Sequence, residues 1–158
     1  MTFRTLAALA ACTLVPTGAI GVASATAPSG VSPVEHVAGA RLAKKVDVDA
    51  DGVRFQTTRR TEVSVLTLTV APGGSTGWHT HPGLAVISVA QGTGKLYATD
   101  CTSRTFTAGE AFVEAGDDKA TLFRNEGSAP VVLTVTFIAP RRAAVIRDER
   151  APRTCRLR

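Results

Sequence analysis

Beyond residue 27 the sequence lacks any apolar run long enough to cross a bilayer as a helix, so stable insertion by a helical span is not expected there. Histidine and cysteine are scarce, at three of each, and each can be followed individually. Aromatic residues are missing from the most basic part of the chain. Residues 141–158 carry seven arginines against Asp148 and Glu149, a net of +5, whereas residues 28–140 hold ten lysines and arginines against eleven acidic residues. The high pI therefore belongs to a tail with nothing to stack on bases, which argues against a nucleic-acid partner. A solvated basic tail pinned at Cys155 is expected, with weak attraction to anionic cell-envelope polymers as the sharper alternative.

Residues 1–27 read as an export leader. Arg4 gives a positive start, residues 6–15 an apolar stretch, and Ala23-Ser24-Ala25 and Ala25-Thr26-Ala27 each offer a small-residue cleavage pattern. Secretion is the expected outcome; Cys12, following Leu9-Ala10-Ala11, supplies a minor lipoprotein alternative. The remaining 131 residues suffice for one domain with a hydrophobic core. Loss of the leader removes Cys12 and leaves Cys101 and Cys155. In an oxidising compartment a disulfide between them is the default reading, and two free thiols the alternative.

Short runs rich in Val, Thr, Ile and Phe, punctuated by Gly, Pro and Asp, predict an all-β domain over residues 46–140. Candidate strands are 53–57, 62–70, 84–90, 94–99, 111–114, 121–124 and 131–138. Turns are expected at Ala71-Pro72-Gly73-Gly74, Gly116-Asp117-Asp118 and Asn125-Glu126-Gly127. Residues 28–45, with two prolines and a Ser-Gly pair, read as a flexible lead-in carrying His36 as a solvated residue. Asp47-Val48-Asp49-Ala50-Asp51-Gly52 imitates a calcium loop, but Thr58 stands where the bidentate glutamate belongs, so a polar turn is the simpler account.

The most informative segment is Gly73 to Gly92. His79 and His81 are two residues apart, so in an extended strand both imidazoles face one side. Such a pair is half of a transition-metal site and needs further ligands. The run resembles the first sequence motif of the cupin superfamily: Gly73, five residues, then His79-Thr80-His81, with Gly92 closing it. Residues 109–125 resemble the second motif in a loosened form. The resemblance implies a cupin-type double-stranded β-helix, a jelly-roll barrel with its ligand cavity inside. It also implies a divalent metal held by three histidines and a glutamate. Here the glutamate place falls on Ala85, which has no donor atom. The third histidine place falls on Lys119 counted from Gly116, or on Thr121 counted back from Asn125. Glu114 and Thr121 are possible substitute ligands, but strand parity is not fixed by the sequence.

Three functional readings follow. The first is a secreted binding protein with a degenerate metal site, taking a small polar ligand against His79, His81, Trp78, Tyr97 and Lys119. The second is a metal-dependent enzyme of oxygenase or isomerase type, His79 and His81 binding a divalent transition metal. The third is acid-base chemistry without metal, with Lys119 beside a histidine. Trp78 can equally cap the core, and Asn125 serves a turn. A homodimer through sheet edges is compatible with the fold.

Overall fold

The structure is a computed structural model describing residues 26–155 and 157. The leader read at residues 1–27 thus lies outside the described residues, apart from Thr26 and Ala27. Among the described residues the protein is all-β, with strands β1 (Ser29–Arg41), β2 (Asp47–Ala50), β3 (Val53–Gln56), β4 (Thr61–Ser75), β5 (His79–Gln91), β6 (Thr93–Ala98), β7 (Ser103–Thr107), β8 (Ala111–Arg124), β9 (Val131–Pro140) and β10 (Arg147–Asp148). The main sheet runs β1-β4-β9-β5-β8-β6-β7, with β10 added beside β5. A further pairing of Ser75 with Arg124 joins β4 to β8. The result is a single-domain jelly roll curled around an interior.

Alternation of side chains builds that interior. On β9, Val131, Leu133, Val135, Phe137 and Ala139 are buried in strict period two; Ala85, Ile87 and Val89 do the same on β5. Three phenylalanines from β7 and β8 extend the wall, Phe106 against Phe112 with ring centroids 4.4 Å apart, and Phe112 stacked on Phe123 at 5.9 Å. Each such side chain stabilises the fold by about 2–3 kcal/mol through area removed from water.

Several expectations are corrected. Residues 29–41 are not a flexible lead-in: β1 pairs antiparallel with β4 from Ser29↔Ser75 to Arg41↔Glu62, accepting its Ser, Pro and Gly through register shifts at an edge. His36 lies on this strand, exposed, with Nε2 2.9 Å from the Thr67 hydroxyl. Residues 71–74 do not reverse the chain; β4 continues through them to Ser75. Residues 116–118 lie inside β8, which merges two predicted strands. Residues 47–56 form the β2–β3 hairpin, with Asp51 and Gly52 at positive φ in its two-residue turn.

The basic tail is also more than a solvated appendage. Arg147 and Asp148 pair with Thr80 and His79, and the Glu149 N–H donates to the Trp78 carbonyl at 2.7 Å. A Cys101–Cys155 disulfide fastens the end of this strap to the turn after β6, with Cys155 fully buried. The strap therefore crosses the end of the barrel where the two histidines enter β5.

Candidate metal centre

His79 and His81 open β5, and both are buried, with ring centroids 4.9 Å apart. Each ring is oriented by a backbone carbonyl. His79 Nδ1 lies 2.9 Å from the Gly77 oxygen, and His81 Nδ1 lies 2.7 Å from the Val145 oxygen on the strap. A carbonyl can only accept, so both rings carry the proton on Nδ1 and turn Nε2 inward. Local sequence makes this geometry available. Gly77 holds φ +72, a backbone state that favours glycine, and a Cβ there would sit 2.2 Å from the Thr26 carbonyl. Gly83, just past the pair, lets β9 approach so closely that a Cβ would lie 2.3 Å from the Ile138 oxygen.

The third member comes from β8. Glu114 is 7% exposed, and its Oε2 lies 3.8 Å from His79 Nε2 and 3.4 Å from His81 Nε2. In the β5–β8 ladder Glu114 pairs directly with Ala85. The position that lost its carboxylate on β5 is thus faced by a carboxylate on the neighbouring strand, pointing to the same interior. The Thr121 hydroxyl donates to the other carboxylate oxygen, Oε1, and fixes its rotation.

Burial alone would raise the Glu114 pKa, but the two imidazoles beside it, the His79 charge and the Thr121 hydroxyl hold it at about 2. Burial would lower the His79 pKa, yet Glu114, the Gly77 carbonyl and Asp148 together raise it above 6.5. Ionised Glu114 and protonated His79 thus favour each other in the metal-free site. Because the folded-state pKa of Glu114 is depressed, its contribution is complete above about pH 4.5 and is lost as pH falls toward 2. A difference of that size corresponds to about 3 kcal/mol. Urea unfolding of the metal-free protein should show a falling midpoint across that window, and Glu114→Gln should flatten the dependence. For His79 the sign reverses: its contribution is complete below pH 6.5 and is lost as pH rises through its raised value.

These donors fit a cation. With His79 neutral, both Nε2 atoms are bare lone pairs facing an acceptor-only carboxylate, so three acceptors converge in a buried place with no donor among them. His81 Nε2 makes no hydrogen bond at all; its 3.4 Å contact with Glu114 falls outside hydrogen-bond geometry. The candidate ligand atoms of His79, His81 and Glu114 lie within 4.8 Å of one another. Tetrahedral ligands on a zinc-like ion with bonds of about 2.1 Å lie about 3.4 Å apart, close to the contacts seen. Carbonyl-anchored Nδ1 atoms are the usual outer support of metal-bound imidazoles.

Comparison with known proteins agrees. The family model described as "Cupin domain" matches residues 66–137, from within β4 to within β9 and including all three candidate ligands. Residues 66–137 form a domain of the cupin superfamily. Among solved structures the chain resembles the polyketide cyclase RemF from Streptomyces resistomycificus, at 14% identity and a TM-score of 0.56, covering 88% of this chain and 90% of that one. It also resembles an oxalate oxidase solved in complex with glycolate, at 22% identity and a TM-score of 0.50, covering 75% and 55% of the two chains. A sugar phosphate isomerase from Silicibacter pomeroyi DSS-3 matches at 23% identity and a TM-score of 0.43, over 47% of this chain and 48% of its own. This chain thus spans about half the length of that isomerase. The likenesses to the cyclase and the oxidase show the fold. No curated protein matches the sequence.

The other expected site residues of this chain are placed differently. Trp78 is buried in a second cluster with Tyr97, Leu122 and Cys155, away from the histidine cavity, because its neighbour His79 takes the inward side. Tyr97 directs its hydroxyl to Glu126, which also pairs with Lys95 at 2.7 Å. Lys119 is exposed: Gly116 pairs with His81 and Thr121 with His79, so the four positions between stand against Thr80 alone as a bulge in the ladder. Of the two candidate third-histidine places, Thr121 is the one at the site, acting on Glu114. Asn125 is fully buried, its side chain bonding Val70, Ala129 and Gly127 in the expected turn. The signal for Glu114 was its place in period two with Phe112.

The cavity behind the three ligands has a volume of about 350 Å³. Its walls are aliphatic and phenylalanine side chains from β1, β4, β5, β8 and β9, and its rim includes Val145, Ile146 and Asp148 of the strap. A polar, Trp-, Tyr- and Lys-lined mouth is not what the barrel presents.

Proposed function

We propose that this chain is an exported cupin in which His79, His81 and Glu114 hold one divalent transition metal and present it to a small molecule in the barrel cavity. The observation that carries the reading is the convergence of three buried acceptor atoms, one wholly without a hydrogen-bond partner. A two-histidine, one-carboxylate set suits iron(II) and also accommodates zinc, manganese, nickel or copper. When bound, such an ion supplies Lewis acidity toward an oxygen on the ligand. The remaining work falls to the chain. Gly77 and Val145 hold the imidazoles, Thr121 holds the carboxylate, and the apolar walls exclude water. Asp148 lies on the cavity rim, paired through the backbone with His79. Metal analysis of untagged protein is expected to find about one ion per chain, lost when His79 and His81 are both replaced by alanine. Metal content unchanged by that double substitution would overturn the reading.

Metal entry must displace any proton on His79 Nε2. Affinity for zinc is therefore expected to rise with pH up to the raised His79 pKa and then level off, as measured by chelator competition.

Thr26 distinguishes the two cleavage sites of the proposed leader. Its N–H donates to the Glu149 carbonyl at 3.0 Å, and its hydroxyl accepts the Trp78 N–H at 2.7 Å. Cleavage after Ala25 keeps these bonds, and cleavage after Ala27 removes them. Intact-mass measurement on secreted protein should accordingly show a chain beginning at Thr26 rather than Pro28.

A further inference from the structure

The cavity itself specifies the kind of molecule it admits. Building on the metal reading above, we propose that the ligand is an uncharged, mostly apolar molecule of one or two rings, or of similar branched bulk, with a single oxygen group that reaches the metal. Phosphorylated compounds and dicarboxylates are excluded.

Charge supplies the first argument. Among the described residues, the titratable ones lining the cavity are His79, His81, Glu114 and Asp148, and no lysine or arginine lines it. A phosphate or a second carboxylate would be taken out of water without a side-chain cation to meet it, and Asp148 at the rim would repel it. Arginine clamps are the ordinary means of holding such groups, and none faces this space.

Polar capacity supplies the second. Thr76 is the one further polar side chain in the lining, and it is already committed. Its hydroxyl lies 3.1 Å from the Gly77 carbonyl and accepts the Phe123 N–H at 3.0 Å. A sugar, with hydroxyls around its whole perimeter, would leave most of them facing Leu66, Leu68, Phe112, Leu133 and Phe137. Only the end of the cavity occupied by the histidines and Glu114 offers polar contact, so one oxygen-bearing end is what the site can satisfy.

Size supplies the third. The volume of about 350 Å³ falls in the range of small-molecule sites. It exceeds twice the ~150 Å³ apolar cavity known to hold a single benzene ring. Phe137 tilts against His81 with centroids 5.3 Å apart, so the apolar wall begins directly beside the ligand atoms.

The test uses the full chain loaded with cobalt(II), with 2-naphthol, glucose 6-phosphate and oxalate as probes, followed by calorimetry and by the visible cobalt spectrum. Naphthol is expected to bind at least tenfold more tightly than either anion and to change the cobalt bands. Its affinity should fall at least tenfold in the metal-free protein and in Leu68→Lys, with Leu68→Met as the conservative control. Tighter binding of glucose 6-phosphate or oxalate by the cobalt protein would overturn the ligand class while leaving the metal reading standing. So would a failure of naphthol to bind cobalt-loaded protein, or equal naphthol affinity with and without metal. Failure to take up cobalt at all would instead overturn the metal reading.

Discussion

Glu114→Gln is expected to lower affinity for zinc or cobalt by more than about 100-fold, the upper end of what losing mere supporting contacts costs a metal site. The substitution keeps the side chain's shape and removes its charge, the one anion among three ligands. The more discriminating experiment moves the carboxylate back. Ala85 and Glu114 face each other in the β5–β8 ladder and share the inward side, with Cβ atoms about 5 Å apart in such pairs. Ala85→Glu combined with Glu114→Ala should therefore recover most of the lost affinity, because the new side chain enters the space the old one vacates. Ala85→Glu alone should destabilise the metal-free protein, since two buried carboxylates would then compete for one position. If Glu114→Gln kept its metal, or if the double variant recovered nothing, the carboxylate would not be a ligand that has crossed between strands.

That transfer explains why the site was only half legible in the sequence. The His79 and His81 pair is a local signal, since period two alone puts both rings on one side of a strand. Glu114 is 33 positions from His81 in the sequence, and its role depends on the register between β5 and β8, which no local pattern encodes. Counting from Gly116 led to Lys119 because a count along the chain assumes an unbroken ladder. The bulge opposite Thr80 breaks it, and the lysine is exposed. Most barrel strands from 62 to 138 were readable from β-branched runs and turn residues, but β7 was not among the candidates and β8 was read as two strands. β1 was not readable, because its two glycines and Pro33 are tolerated at an edge where one row of backbone groups goes unpaired. The strap was hidden for a different reason. Its value lies in a backbone carbonyl, that of Val145, and a carbonyl carries no side-chain identity to read.

Breaking the Cys101–Cys155 disulfide should show how much that carbonyl matters. The bridge closes a separation of 54 residues, worth about 4 kcal/mol in the chain-entropy account. For a domain of this size the loss corresponds to a fall in melting temperature of roughly 10–20 °C. Besides the bridge, the strap is held by two ladder pairs at β10, the bonds of Glu149 to Trp78 and to the Thr80 hydroxyl, the contacts of Thr26 and Thr154, and the packing of Val145 on the core. Once released, it would take the Val145 carbonyl away from His81 Nδ1 and leave a buried N–H without a partner. Metal affinity in a Cys101→Ser, Cys155→Ser variant is therefore expected to drop by about 10- to 100-fold, the cost of losing a group that orients a metal-bound imidazole. The two effects separate by measuring zinc affinity well below the melting temperature of the variant, where the barrel is still folded. A fall in melting temperature with unchanged affinity would mean that the strap only stabilises the barrel. A fall in both means that the disulfide, through the nine residues of strap between Val145 and Cys155, reaches the metal centre itself.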